Sequence, residues 1–121
     1  MKKYLDVIIC LLTIALVMVS CAERNTPDNT EYYVRYTIKS SVAYYYFSDI
    51  YFKDVDGTKN AEKGHNIKSW TVTIGPVKKG FKASVRNEKG TANNMIEVSK
   101  NGGPFALKAS GENSASYTIN F

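Results

Sequence analysis

The chain predicts an all-β fold, an antiparallel β-sandwich of about seven strands. Three observations predict it. From Tyr32 onward apolar and polar residues alternate with period two, the spacing of a strand with one buried face. Turn-forming residues recur about every 8–12 positions, the rhythm of short strands joined by tight connections. No stretch after Tyr32 sustains the helical period of about 3.6 residues.

The elements follow in order. Tyr32, Val34, Tyr36 and Ile38 share one face of a first strand, and Tyr33, Arg35, Thr37 and Lys39 share the other. Residues 42–47, Val-Ala-Tyr-Tyr-Tyr-Phe, are β-formers throughout and read as a second strand. Tyr44 and Tyr46 take its core parity, and Tyr45 and Phe47 face outward. Ser48-Asp49 breaks or bulges the strand before Ile50-Tyr51-Phe52. Asp54-Val55-Asp56-Gly57-Thr58 is a turn, and the polar stretch to Asn66 is the longest loop.

Trp70, Val72 and Ile74 then alternate with Ser69, Thr71 and Thr73, and Gly75-Pro76 ends that strand. Phe81, Ala83 and Val85 oppose Lys82, Ser84 and Arg86, and residues 87–90 turn the chain. Asn94, Ile96 and Val98 oppose Met95, Glu97 and Ser99. Asn101-Gly102 is a hairpin signal. Phe105, Leu107 and Ala109 alternate with Ala106, Lys108 and Ser110. After a turn at residues 111–113, Tyr117, Ile119 and Phe121 close the chain on an apolar face, which predicts that the C-terminus is a docked strand. The sandwich is immunoglobulin-like in size, with Trp70 as its large core residue and no cysteine pair beside it. A small barrel is the alternative closure.

The N-terminus has another character. Lys2 and Lys3 precede an apolar segment over residues 7–19, and Ser20-Cys21 follows. A basic start, an apolar core of about 7–15 residues and a small-residue cleavage site make an export signal. The segment is shorter than the ~20 apolar residues of a spanning helix. Between residues 7 and 22 the polar side chains are Thr13 and Ser20, so a retained anchor stays open beside cleavage. Met18-Val19-Ser20-Cys21 resembles the lipobox of bacterial lipoproteins. The resemblance implies cleavage before Cys21, diacylglycerol on its thiol and acylation of the new amine. Two or more acyl chains anchor a protein stably where one does not. The expected organisation is a signal at residues 1–20, a lipidated cysteine and polar tether at 21–31, and a β domain at 32–121.

Removing the signal lowers the formal charge from +5 to +4. The remaining lysines are scattered, which suits solvated edges and loops better than a nucleic-acid interface. Cys10 leaves with the signal and Cys21 is committed to lipid, so the domain has no disulfide to rely on.

Asp54-Val55-Asp56-Gly57-Thr58 matches the nucleophile motif of haloacid-dehalogenase-like phosphotransferases. That chemistry needs a parallel strand in a large α/β domain, which this chain lacks. As a calcium loop counted from Asp54, position twelve is His65 and not glutamate. A loose site of Asp54 and Asp56 stays a minor reading beside a plain turn. His65 is the single histidine, in a polar loop, with no second histidine for zinc or a triad. The expectation is a protein that is not an enzyme and takes no metal or cofactor.

The compositional excess is tyrosine: Tyr32, Tyr33, Tyr36, Tyr44, Tyr45, Tyr46 and Tyr51 lie close together. Core packing and cross-strand pairing account for most of them. Outward Tyr33, Tyr45 and Phe47 would form a ligand face, since tyrosine joins contact area to a polar tip. The whole chain resembles small lipoproteins of gut Bacteroidetes, through Val19-Ser20-Cys21, the tether and one tyrosine-rich β domain. More loosely it resembles the small sandwich domains that accompany mycobacterial membrane transport proteins. These resemblances imply an accessory or binding role at the envelope. The expectation is a lipid-anchored, non-catalytic interaction module of the outer membrane with an envelope protein partner. The alternative is a glycan- or lipid-binding module using the tyrosine face.

Overall fold

The computed structural model describes residues 28–43 and 45–121. The signal, Cys21, most of the tether and Tyr44 lie outside the described residues. Eight strands follow in order: β1 (Tyr32–Ser40), β2 (Phe47–Asp54), β3 (Gly57–Ala61), β4 (Ser69–Val77), β5 (Lys82–Gly90), β6 (Ala92–Lys100), β7 (Ala106–Glu112) and β8 (Ser114–Thr118). They make two antiparallel four-stranded sheets, β4-β1-β6-β7 and β3-β2-β5-β8. The fold is a β-sandwich.

Alternation explains the core. Tyr32, Val34, Tyr36 and Ile38 of β1 are buried against Ile50 and Phe52 of β2, Ala83 and Val85 of β5, and Ile96 and Val98 of β6. Trp70 packs on Phe52, ring centroids 5.3 Å apart. The Tyr36 hydroxyl donates to the Lys53 carbonyl at 2.7 Å. Burial pushes the Tyr36 pKa above its ordinary value. The native state then keeps this proton at alkaline pH while the unfolded chain releases it. Unfolding is favoured as pH rises above about 10. Tyr36→Phe is expected to cost about 1 kcal/mol at neutral pH through the lost hydrogen bond. It should also flatten the loss of stability above about pH 10, because phenylalanine has no proton to release. Urea melts between neutral and alkaline pH check both effects; parallel curves would refute the assignment.

Several expected elements are corrected. Residues 41–43 form a bend and turn, Tyr45 and Tyr46 lie outside any strand, and β2 begins at Phe47. The aromatic run has strand propensity, but the ladder to β5 starts at Phe47. Tyr46 is accordingly 51% exposed, and Phe47 is 1% exposed and sits in the core. Phe47 turns inward because it pairs with Gly90 on one side and bridges Ile67 on the other. Asp49 interrupts the β2–β5 ladder at φ 57° and donates its N–H to the Glu62 carbonyl at 3.0 Å, the expected break. A short strand, β3, occupies residues read as loop, paired to β2 along its length. β4 continues through Gly75-Pro76 to Val77, which pairs with Tyr32.

Residues 87–90 extend β5 instead of turning. The chain then bends into the other sheet at Gly90, whose φ is +85° and whose missing Cβ leaves room for the Tyr46 carbonyl and Phe47 Cα. A register shift between Ile96 and Glu97 pairs Glu97 with Leu107 and Ile96 with Ala109. Leu107 is thereby turned outward, 58% exposed.

Candidate functional site

Two surfaces stand apart from the solvated faces. The first is the tip between β1 and β2, described at residues 41–43, Tyr45 and Tyr46. It exposes Val42, Tyr45 and Tyr46. The Tyr45 N–H donates to the Val42 carbonyl at 3.1 Å, which curls the loop. The Lys68 ammonium stands 5.0 Å above the Tyr46 ring. Tyr45, Tyr46, Gly90 and Thr91 frame a shallow depression of about 290 Å³.

This tip lies at the opposite end of β1 from the N-terminal segment, about 30 Å away for nine extended residues. That segment is held down. Glu31 N–H donates to Asn101 Oδ1 at 2.9 Å, and Asn101 N–H returns a bond to the Glu31 carbonyl at 2.7 Å. Lys78 Nζ reaches the carbonyls of Asp28 (3.1 Å) and Thr30 (3.3 Å). Thr30 also bonds the Asp28 carboxylate, which holds its pKa below the usual range.

The second surface follows β8. A depression of about 490 Å³ there is lined by Tyr51, Ser84, Arg86, Ala109, Ser114 and Ser116, among others. Sheet register sets Arg86 opposite Ser114 and Ser84 opposite Ser116. The Arg86 guanidinium lies 4.4 Å over the Tyr51 ring, and its Nη2 donates to Glu88 Oε2 at 3.0 Å. Small hydroxyl side chains on β8 leave the guanidinium accessible beside the strand.

The three residues expected to make one ligand face do not come together. Tyr33 is half-buried on the outer face of β1, beside Gly75 of β4. Tyr45 is on the tip, and Phe47 is in the core. Tyr33 shares its outer row with Arg35, whose guanidinium forms a double contact with Glu97 at 3.0 and 3.1 Å and stacks on Phe105 at 4.3 Å. Cys21 lies outside the described residues.

The Asp-Gly turn is the β2–β3 hairpin. Asp54 and Asp56 both face the Lys59 ammonium, at 3.7 and 3.5 Å, so a cation already sits between the two carboxylates. His65 is exposed, its Nδ1 2.5 Å from Glu62 Oε1. Among the described residues no three His, Cys, Asp or Glu side chains converge on a metal-sized site.

Sequence reasoning missed one cluster entirely. Asn87, Asn94 and Asn113 meet where the two sheets join. Asn94 Nδ2 donates to Asn87 Oδ1 at 2.9 Å, and Asn87 Nδ2 donates to Asn113 Oδ1 at 3.2 Å. Asn113 Oδ1 also accepts the Ala92 N–H at 2.9 Å. The available signal was Asn94 at core parity, since a buried amide demands partners.

Comparison with family models, with curated proteins and with solved structures finds no match.

Proposed function

We propose that the chain is a lipid-anchored interaction module of the bacterial cell envelope, held at the outer membrane through Cys21 and non-catalytic. The observation that carries this is the placement of the tip. The N-terminal segment, which leads back to Cys21, is pinned at one end of β1, and Val42, Tyr45 and Tyr46 are exposed at the other. An anchor at the first end presents the second to whatever lies away from the membrane. Exposed tyrosine beside lysine is the chemistry of protein recognition, because tyrosine adds contact area at low entropic cost.

Two measurements test the reading. Metabolic labelling with a fatty-acid analogue should mark the wild type and not Cys21→Ala; equal labelling removes the anchor. A photo-crosslinking amino acid at position 46 in intact cells should yield a discrete adduct with one envelope protein. Its absence, with the protein correctly exported, removes the interaction module.

A further inference from the structure

We infer that β8 is a receptor edge for an extended, acidic strand of a partner polypeptide. The inference rests on the interaction-module reading and names the chemistry of a partner segment.

Four strands end the two sheets: β4, β7, β3 and β8. Natural edges are shielded from strand addition by charge, proline or irregular register. β3 carries Lys59, held by Asp54 and Asp56. β4 carries Pro76 and a register shift at its pairing with β1. β7 carries Lys108, Glu112 and the shift at Ile96/Glu97. β8, Ser-Ala-Ser-Tyr-Thr, carries none of these.

The hydrogen bonds at its two ends show which amides are open. At one end Asn113 accepts from Asn87 N–H at 3.1 Å, and at the other Ile119 N–H donates to the Phe81 carbonyl at 3.0 Å. Both are odd-numbered, so period two assigns Ala115 and Tyr117 to β5 as well. Ser116 and Thr118 therefore turn their N–H and C=O groups to the open edge, as Ser114 turns its N–H, while the Ser114 carbonyl packs against Gly111 at the β7–β8 corner. An extended segment laid there would bond them as a fifth strand.

The side chains define the occupant. Inward residues of the added strand would meet Ala115, Tyr117 and, from β7, Ala109, all half-buried. Small or branched apolar residues fit that row. Outward residues would stand beside Ser114, Ser116 and Thr118. Behind these small side chains, register places Arg86 opposite Ser114 and Lys82 opposite Thr118. Two strand spacings are about 9.6 Å, a span that a glutamate and a long cation close together. The complement is a strand alternating acidic and apolar residues.

The test uses the full-length chain and a blocked eight-residue peptide alternating glutamate with valine. Its addition should slow amide exchange at Ser114, Ser116 and Thr118 by at least about tenfold and leave Thr71 and Thr73 on the β4 edge unchanged. A peptide with alternate amides N-methylated, and one with lysine for glutamate, should give no protection. Protection by the N-methylated peptide, equal protection on β4, or none anywhere overturns the inference. Ser116→Pro should abolish protection, since it removes an open-edge donor that the fold does not use. If that variant fails to fold, Arg86→Glu with Lys82→Glu should move the preference to the lysine peptide; an unchanged preference counts against the acidic complement. A position-46 adduct that persists while peptide protection is absent removes the β8 edge and leaves the interaction module standing.

Discussion

Deletion of residues 117–121 is expected to leave a chain with no cooperative thermal transition. Ile119 is fully buried in the core, and Tyr117 and Phe121 pack against it. The segment is also bonded in. Gly80 N–H donates to the Ile119 carbonyl at 2.8 Å and Ile119 N–H to Phe81 at 3.0 Å. The buried Tyr32 hydroxyl donates to the Phe121 carbonyl, and the two rings meet edge to face with centroids 5.4 Å apart. The Lys108 ammonium covers the Phe121 ring at 3.9 Å. At about 1.5–3 kcal/mol for each fully buried large apolar side chain, the loss is about 5 kcal/mol before the orphaned Tyr32 hydroxyl is counted. Domains of this size have about 5–15 kcal/mol in all. Differential scanning calorimetry checks the outcome, and a truncated protein with a sharp transition refutes it. Ile119→Ala should give a graded result, destabilised by about 2–5 kcal/mol but still cooperative.

The second large effect is at the asparagine cluster. Asn87→Ala is expected to destabilise the domain by about 3 kcal/mol, which lowers the melting temperature by roughly 12–24 °C. Asn87 Nδ2 serves the Lys89 and Gly90 carbonyls at 3.1 and 3.2 Å as well as Asn113 Oδ1. Its Oδ1 receives Asn94 Nδ2, and Asn94 is fully buried. Truncation leaves the buried Asn94 amide donating to the Ala92 carbonyl alone, at 3.3 Å, and takes a donor from the Lys89 and Gly90 carbonyls and from Asn113 Oδ1, which costs more than the bonds contribute net. Asn94 Oδ1 already has no partner among the described residues, so the site has no spare satisfaction to redistribute. Urea unfolding of Asn87→Ala beside Ser84→Ala, an outward control on the same strand, measures the difference. Equal stabilities would show the cluster to be dispensable.

The strands with clean alternation were legible. β1, residues 92–98 of β6 and the inner row of β4 lie with the faces that period two assigns, because one-sided burial leaves a mark every second residue; Ser99, read as outward, is buried and bonds the Gly103 carbonyl. β3 was not legible: Gly-Thr-Lys-Asn-Ala is polar, and its strand form depends on pairing with β2. The stretch 42–46 failed in the opposite sense. Its tyrosines favour strands, yet the chain must cross between sheets there, and connection overrides propensity. The polar residues 87–90 look like a turn until Asn87 is seen to face inward and find Asn94.

The candidate surfaces were less legible than the fold. Tyrosine excess points to the segment that carries exposed Tyr45 and Tyr46. It also put Phe47 on a ligand face, because a parity carried in from residue 42 as if one strand ran through is lost when β2 begins only at Phe47. The unshielded character of β8 is visible in its five residues only after β8 is known to end a sheet.

The sequence by itself determined an all-β fold for the described residues, the buried rows of β1, β5 and β6 and the docking of residues 117–121. These follow from local spacing and from which side chains water excludes. The tertiary structure alone decided the sheet order, the outward turn of Leu107, the Asn87–Asn94–Asn113 junction and which edges stay open. Each of those depends on a partner strand distant in the chain, and pairing between distant segments leaves no periodic trace in either one.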